Sequence, residues 1–129
     1  MATVLESLRM ATIVKMNETE AVLMARHLGL EYEAPLFARR ITQQYGPAAV
    51  CVTRAERGAW LATRDGAWHE VAGISVAAAD PVGAGDAFLA ALIRGHIEGT
   101  PWHETLGRAN ELGAWVASRD GAMPGYEHG

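Results

Sequence analysis

Four consecutive residues, Gly83, Ala84, Gly85 and Asp86, stand between a small apolar run and a helix-forming stretch in AAADPVGAGDAFLAAL, residues 77 to 92. A helix mouth presents backbone N–H groups with no partner inside the helix, plus the positive end of the macrodipole, so anions settle there. Gly83 and Gly85 have no Cβ, which lets an anion approach the backbone and lets the chain take positive φ. Such a loop suits phosphate. Asp86, expected in the first turn of a helix from about Gly85 to His96, is favoured there as a carboxylate that can accept a proton. A hydroxyl held between the two would lose its proton to Asp86 while the N–H groups hold the charge of a transferring phosphoryl group. The same residues also fit a tight strand-to-helix turn in which Asp86 only complements the dipole. They form neither a P-loop, which carries a Lys after its last Gly, nor the dinucleotide pattern G-x-G-x-x-G.

The elements that must position these residues are marked along the chain. Residues 2 to 10 read as a short helix and TIVK, 12 to 15, as a buried strand of β-branched residues. Asn17 can cap the next helix with Glu20 in capping-box spacing, and Ala21, Leu23, Met24, His27 and Leu28 give an apolar face that ends at Gly29. A second helix from about Glu33 to Tyr45 stops at Gly46 and Pro47. AAVCVT, 48 to 53, is a short apolar run expected at the centre of a sheet, and residues 58 to 73 alternate on either side of a hairpin turn at Asp65-Gly66. A strand in GISVAAA, the helix after it, a break at EGTP and a helix from Trp102 to about Ser118 complete the order. That order predicts an α/β layered architecture around a mixed sheet.

Bulk properties narrow the field. At 129 residues, half of them apolar and a fifth charged, the chain reads as one ordinary globular domain. The net charge of −4 and the scattering of its 11 basic residues leave no electrostatic footprint for nucleic acid. No segment approaches the ~20 apolar residues of a membrane span, so a cytoplasmic protein with no membrane partner is expected. The single cysteine, Cys51, sits in an apolar run and reads as a buried structural thiol. His27, His69, His96, His103 and His128 lack ligand spacing, which argues against zinc. Trp60 and Trp68 flank the hairpin turn at a spacing that suits packing on one face, and Trp115 reads as core.

DPVGAGDAF resembles the D-T-x-G-A-G-D-x-F signature of the ribokinase, or PfkB, family of sugar kinases. NETE at Asn17 to Glu20 is similar to that family's N-x-x-E motif, TRAERG at Thr53 to Gly58 to its T-x-G-x-x-G nucleotide loop, and RANELGAWVASRDGAMP to its Asn-led C-terminal helix and following loop. The four motifs run in family order over residues 13 to 124. The resemblance implies a three-layer, Rossmann-like, ribokinase-type sandwich with a mixed, mostly parallel sheet and a β-hairpin. It implies Asp86 as catalytic base, and Gly83, Ala84 and Gly85 as an anion hole. Asn17, Thr53, Arg54, Gly58 and Asn110 would border ATP, and Glu20 would hold Mg²⁺ through water. Asp80, with carbonyls around Val82, Val116, Arg119 and Gly121, would line a monovalent cation site suited to K⁺.

Three positions depart from the pattern: Ala55 stands at the first Gly of the nucleotide loop, Pro81 at the usual Thr, and Gly125 at a frequent Ser. Every motif belongs to the second half of the family pattern. The chain therefore reads as the C-terminal, nucleotide-binding part of a sugar kinase, similar in texture to the fructokinase and keto-sugar-acid branch. The half that holds the sugar and the lid is not represented. An uncovered sheet edge and apolar surface would then favour a homo-oligomer. The alternative is a module that kept the nucleotide site and is not catalytic.

Overall fold

Val14 and Met16 on one strand, Val50 and Val52 on the next and Ala62 and Trp60 on a third line up across a sheet and form the floor of a buried core. The computed structural model describes residues 13–54, 57–73 and 81–120, with only the backbone at 81–83 and 117–120. The helix read at 2 to 10 and most of the strand read in GISVAAA lie outside the described residues. The chain divides into two compact units, Met1–Ala55 with Ala59–Glu70, and Glu56–Gly58 with Val71–Gly129.

In the first unit β1 (Ile13–Asn17) leads into α1 (Glu18–His27), α2 (Ala34–Tyr45), β2 (Ala49–Thr53), β3 (Ala59–Thr63) and, up to Glu70, β4 (Trp68–Val71). The sheet order is β1-β2-β3-β4. It is mixed, as the sequence led us to expect: β1 and β2 run parallel, β2 and β3 antiparallel. Alternate side chains point to opposite faces of a strand, so the aligned positions 14, 50, 62 and 16, 52, 60 share one face. Ala21, Met24 and Ala25 of α1 and Phe37, Ala38 and Ile41 of α2 join them in the core. Burying each large member of this cluster stabilises the fold by about 1.5–3 kcal/mol. On the opposite face Ala49, Cys51, Ala59 and Leu61 are also fully buried.

Local signals start and stop each helix. Gly46 ends α2 in the left-handed region at φ 69°, and its N–H donates to the Thr42 carbonyl at 3.0 Å. At the hairpin turn Gly66 takes φ 96°, the Thr63 hydroxyl donates to the Asp65 carboxylate, and the Thr63 N–H donates to the Ala67 carbonyl at 2.9 Å. The alternation expected on both arms of this hairpin holds only in β4. All five residues of β3 are buried, because β3 lies between β2 and β4 and is covered on both faces.

The second unit is built on an αα-hairpin of α3 (Pro81–Glu98) and α4 (Trp102–Asp120). Phe88, Leu92, Leu106 and Ala109 are buried in it. Close approach is bought by small residues: a Cβ at Gly95 would stand 2.5 Å from the Thr105 side chain, and one at Gly113 would stand 3.2 Å from the Ala84 carbonyl oxygen. Thr105 caps the connection by donating from its hydroxyl to the Thr100 carbonyl at 3.3 Å. Among the described residues no helix is long and apolar enough to cross a membrane.

Candidate functional site

The C-terminal ends of the two parallel strands gather four of the expected site residues. Asn17 ends β1 and stands opposite Thr53, which ends β2, and neighbouring strands lie about 4.8 Å apart. Glu20 follows one helical turn after Asn17, and Arg54 follows Thr53. Open α/β sheets bind their ligands outside the carboxyl ends of parallel strands, and this rim is such a place.

Asn17 is the N-cap of α1, with extended backbone at φ −86° and ψ 171°. Its Oδ1 accepts from the Glu20 N–H at 2.8 Å, and Glu20 Oε1 accepts from the Asn17 N–H at 2.9 Å. The capping box read in the sequence is therefore formed. One carboxylate oxygen of the exposed Glu20 is committed to it.

Arg54 is mostly buried, its side chain 18% exposed, and Nη2 donates to Glu70 Oε2 at 2.9 Å. Trp68 Nε1 donates to Glu70 Oε1 at 3.2 Å, and the Trp68 ring stacks on Trp60 at 4.7 Å. These two hydrogen bonds, Trp68 first and Arg54 second, hold the Glu70 carboxyl below its usual range. Glu70 was not singled out in the sequence. The available signal was its shared strand face with Trp68, two residues away, which hands one carboxylate to both an indole and the guanidinium beginning the loop after β2.

In the second unit the Gly-Ala-Gly stretch differs from expectation. It is not a loop before a helix from Gly85; α3 begins at Pro81, so Asp86 is its sixth residue and lies beyond the first turn. Proline at the first helical position has φ already set for a helix, and Gly113 of α4 packs closely on the Ala84 carbonyl. Both draw the glycines into the helix. Pro81 has no N–H, so the donors that the regular helical pattern leaves unpaired at this mouth are those of Val82 and Gly83. The Gly85 N–H falls within reach of the Pro81 carbonyl in the regular helical pattern. Asp86 is exposed. A helical Cα–Cβ bond tilts toward the N-terminus, so a side chain at this position leans back toward those donors.

Gly58 and Asn110 meet a common partner. Gly58 is buried at φ 92°, and a Cβ built on it would stand 1.9 Å from the Val71 carbonyl oxygen. Asn110, on α4, donates from Nδ2 to the Ala72 carbonyl at 2.9 Å. Of the expected cation ligands, Val82 lies on α3 and Val116 and Arg119 on α4, while Asp80 and Gly121 lie outside the described residues. Among the described residues no three His, Cys, Asp or Glu side chains cluster to hold a metal. Cys51 is fully buried as expected, and burial pushes its thiol up to about 12.

The family model described as pfkB family carbohydrate kinase matches residues 1–128. The chain is similar to a fructokinase from Salmonella thompson, 32% identical over 123 residues, which cover 91% of this chain and 53% of that one. Among solved structures it is similar to the Burkholderia thailandensis nucleoside kinase in complex with inosine, at 30% identity and TM-score 0.69, covering 90% of this chain and 36% of that one. It is also similar to an E. coli protein described as ribokinase II in complex with ATP and Mg²⁺, at 28% identity and TM-score 0.74, covering 93% and 37%. The chain spans about half the length of the fructokinase and about a third of these two structures. Its mixed α/β arrangement is of the ribokinase type.

Proposed function

Because the chain belongs to the pfkB family of carbohydrate kinases, we propose that it is the C-terminal, nucleotide-binding part of an ATP-dependent sugar kinase of the fructokinase or keto-sugar-acid kind. Asp86 takes the proton from the sugar hydroxyl as that oxygen bonds to the γ-phosphorus and the bond to the β,γ-bridging oxygen breaks, releasing ADP. Gly83, Ala84 and Gly85 line the anion hole: the unpaired N–H of Gly83 stabilises the charge that builds on the transferring group, and the two glycines keep the approach free of a Cβ. The observation that carries this reading is an exposed carboxylate, Asp86, one turn behind the donors at the mouth of α3.

Asn17, Thr53, Arg54, Gly58 and Asn110 border the nucleotide in this reading. A structural neighbour solved with ATP and Mg²⁺ supports that ligand pair. Mg²⁺ keeps several waters and needs few protein carboxylates, and Glu20 fits such a role: it is exposed, with Oε1 alone committed to the Asn17 N–H. When bound, Mg²⁺ neutralises charge on the phosphate oxygens. K⁺ belongs to the proposal through Asp80 and the carbonyls of Val82, Val116, Arg119 and Gly121. Self-association through exposed apolar residues such as Ile93 and Ile97 belongs to it as well. So does a cytoplasmic location.

The test is a calorimetric titration of ATP with Mg²⁺, followed by ADP release measured against a panel of sugars. The expected result is ATP binding that survives Asp86→Asn, and turnover that falls about 10²–10⁴-fold in that variant. Binding with no turnover on any sugar would support the non-catalytic module instead, and no ATP binding would overturn both readings for this chain.

A further inference from the structure

Asn110 is the ninth residue of α4, and the nucleotide reading puts it beside the base or the ribose. One donor of its amide is already engaged. Nδ2 donates to the Ala72 carbonyl at 2.9 Å, across 38 residues of sequence. The backbone around that carbonyl is the same strip against which Gly58 rests. A Cβ at Gly58 would stand 1.9 Å from the Val71 carbonyl oxygen and 2.8 Å from both the Ala72 carbonyl carbon and the Gly73 nitrogen. The contact is backbone on backbone, so a shift of the Ala72 peptide must be felt at Gly58. Nothing flexible lies between them to absorb it.

We propose that Asn110 is a positioning residue: it pins the Ala72 peptide and, through it, the Gly58 end of the nucleotide loop, and it makes no contact with the base. The proposal rests on the nucleotide reading above. It has a chemical consequence that a base contact does not share. An amide bonded to a purine edge distinguishes adenine, with its amino group at C6, from guanine, with its carbonyl there. An amide that sets the loop backbone acts on whatever the loop holds, which is the polyphosphate common to both. The ligand addressed through Asn110 is therefore the polyphosphate chain.

The experiment uses the full chain with Asn110→Ala, Asn110→Asp, which keeps the shape and removes the donor, and Asn110→Gln, which keeps an amide donor. Hydrogen exchange at the Gly58 and Ala59 amides is measured without nucleotide, and affinities for ATP, GTP and tripolyphosphate are measured with Mg²⁺. Loss of one hydrogen bond is expected to speed exchange about two- to tenfold in the Ala and Asp variants. All three affinities should fall by a common factor of the same size, and Gln should restore them in part. Unchanged exchange would overturn the proposal, and so would a loss confined to ATP, which would mark a base contact. If the wild-type chain binds none of the three, the nucleotide reading falls and takes the functional half of the proposal with it. Exchange at Gly58 then still upholds or overturns the grip itself.

Discussion

Asn17 and Glu20 exchange hydrogen bonds reciprocally, side chain to backbone, at 2.8 and 2.9 Å across the first turn of α1. The pair is thus fully accounted for by helix capping, and it is also the pair assigned to Mg²⁺ and phosphate. The two roles separate in different variants. Glutamine is accepted at the third position of a capping box, so Glu20→Gln should melt within a degree or two of wild type yet bind ATP with little dependence on Mg²⁺. Asn17→Ala should cost ~0.5–2 kcal/mol of stability through the lost cap. Thermal melts with paired calorimetric titrations, with and without Mg²⁺, check both; an unaltered Mg²⁺ dependence in Glu20→Gln would remove Glu20 from the metal's surroundings.

Two glycines on the αα-hairpin should respond to alanine in opposite directions. A Cβ at Gly95 would meet the Thr105 Cγ2 and Oγ1 at 2.5 Å, in a buried seam between α3 and α4. Overpacking of this kind costs ~1–3 kcal/mol. At Gly107 a Cβ meets nothing within 4 Å, and the residue lies inside α4. Alanine there should stabilise by ~0.5–1 kcal/mol, because glycine is the poorer helix former. Chemical denaturation of the two single variants gives both signs.

What the sequence disclosed was local, and what it withheld was set by tertiary contact. The cap at Asn17, the stop at Gly46 and the turn at Asp65-Gly66 each depend on residues within four positions, and all three were legible. The start of α3 was not, because glycines license a loop and a helix alike, and packing of Gly113 on Ala84 favours the helix. The burial of β3 on both faces escaped as well, since its position between β2 and β4 belongs to the register and not to the residues. Glu70 was missed for the same reason: its partner Arg54 lies 16 residues away and is brought near only when the strands pair. Most of the candidate site residues were implied by the resemblance to the family's motifs. Their neighbours Glu70 and Ala72 came from the fold.

The Arg54–Glu70 pair should contribute a small, pH-dependent increment of stability. Its Glu70 side is 52% exposed, so solvent screening keeps the pair within ~0.2–1 kcal/mol. The folded state depresses the Glu70 carboxyl below its ordinary value of 4.5. A depressed carboxyl stabilises the fold above its unfolded pKa and loses that contribution as the pH falls through the folded one. Glu70→Gln should therefore be less stable than wild type at pH 7 and equal to it once the carboxylate is protonated in acid. Urea denaturation at a series of pH values from 7 downward reads the gap; a gap that persists in full in acid would assign the loss to packing against Trp68 and not to charge.

Cys51 offers the opposite sign. It is fully buried at the centre of β2, and desolvation raises its thiol from 9.0 to about 12, with Lys15 nearby acting weakly the other way. Below pH 9 the thiol is protonated in both folded and unfolded chains and carries no pH dependence. Above it the unfolded chain ionises first, so stability is lost as pH rises toward the folded value, at about 1.4 kcal/mol per unit. Wild type should exceed Cys51→Ala in stability at pH 7, through the packing of the sulfur, and that margin should shrink by about 1.4 kcal/mol by pH 10. The native thiol should also resist alkylation at pH 8, because the thiolate is the reacting species, and react at the ordinary rate in denaturant. Denaturation curves of the two proteins at pH 7 and pH 10 and the alkylation rate supply the measurements; a margin that does not change with pH, or prompt native alkylation, would mean that water reaches Cys51.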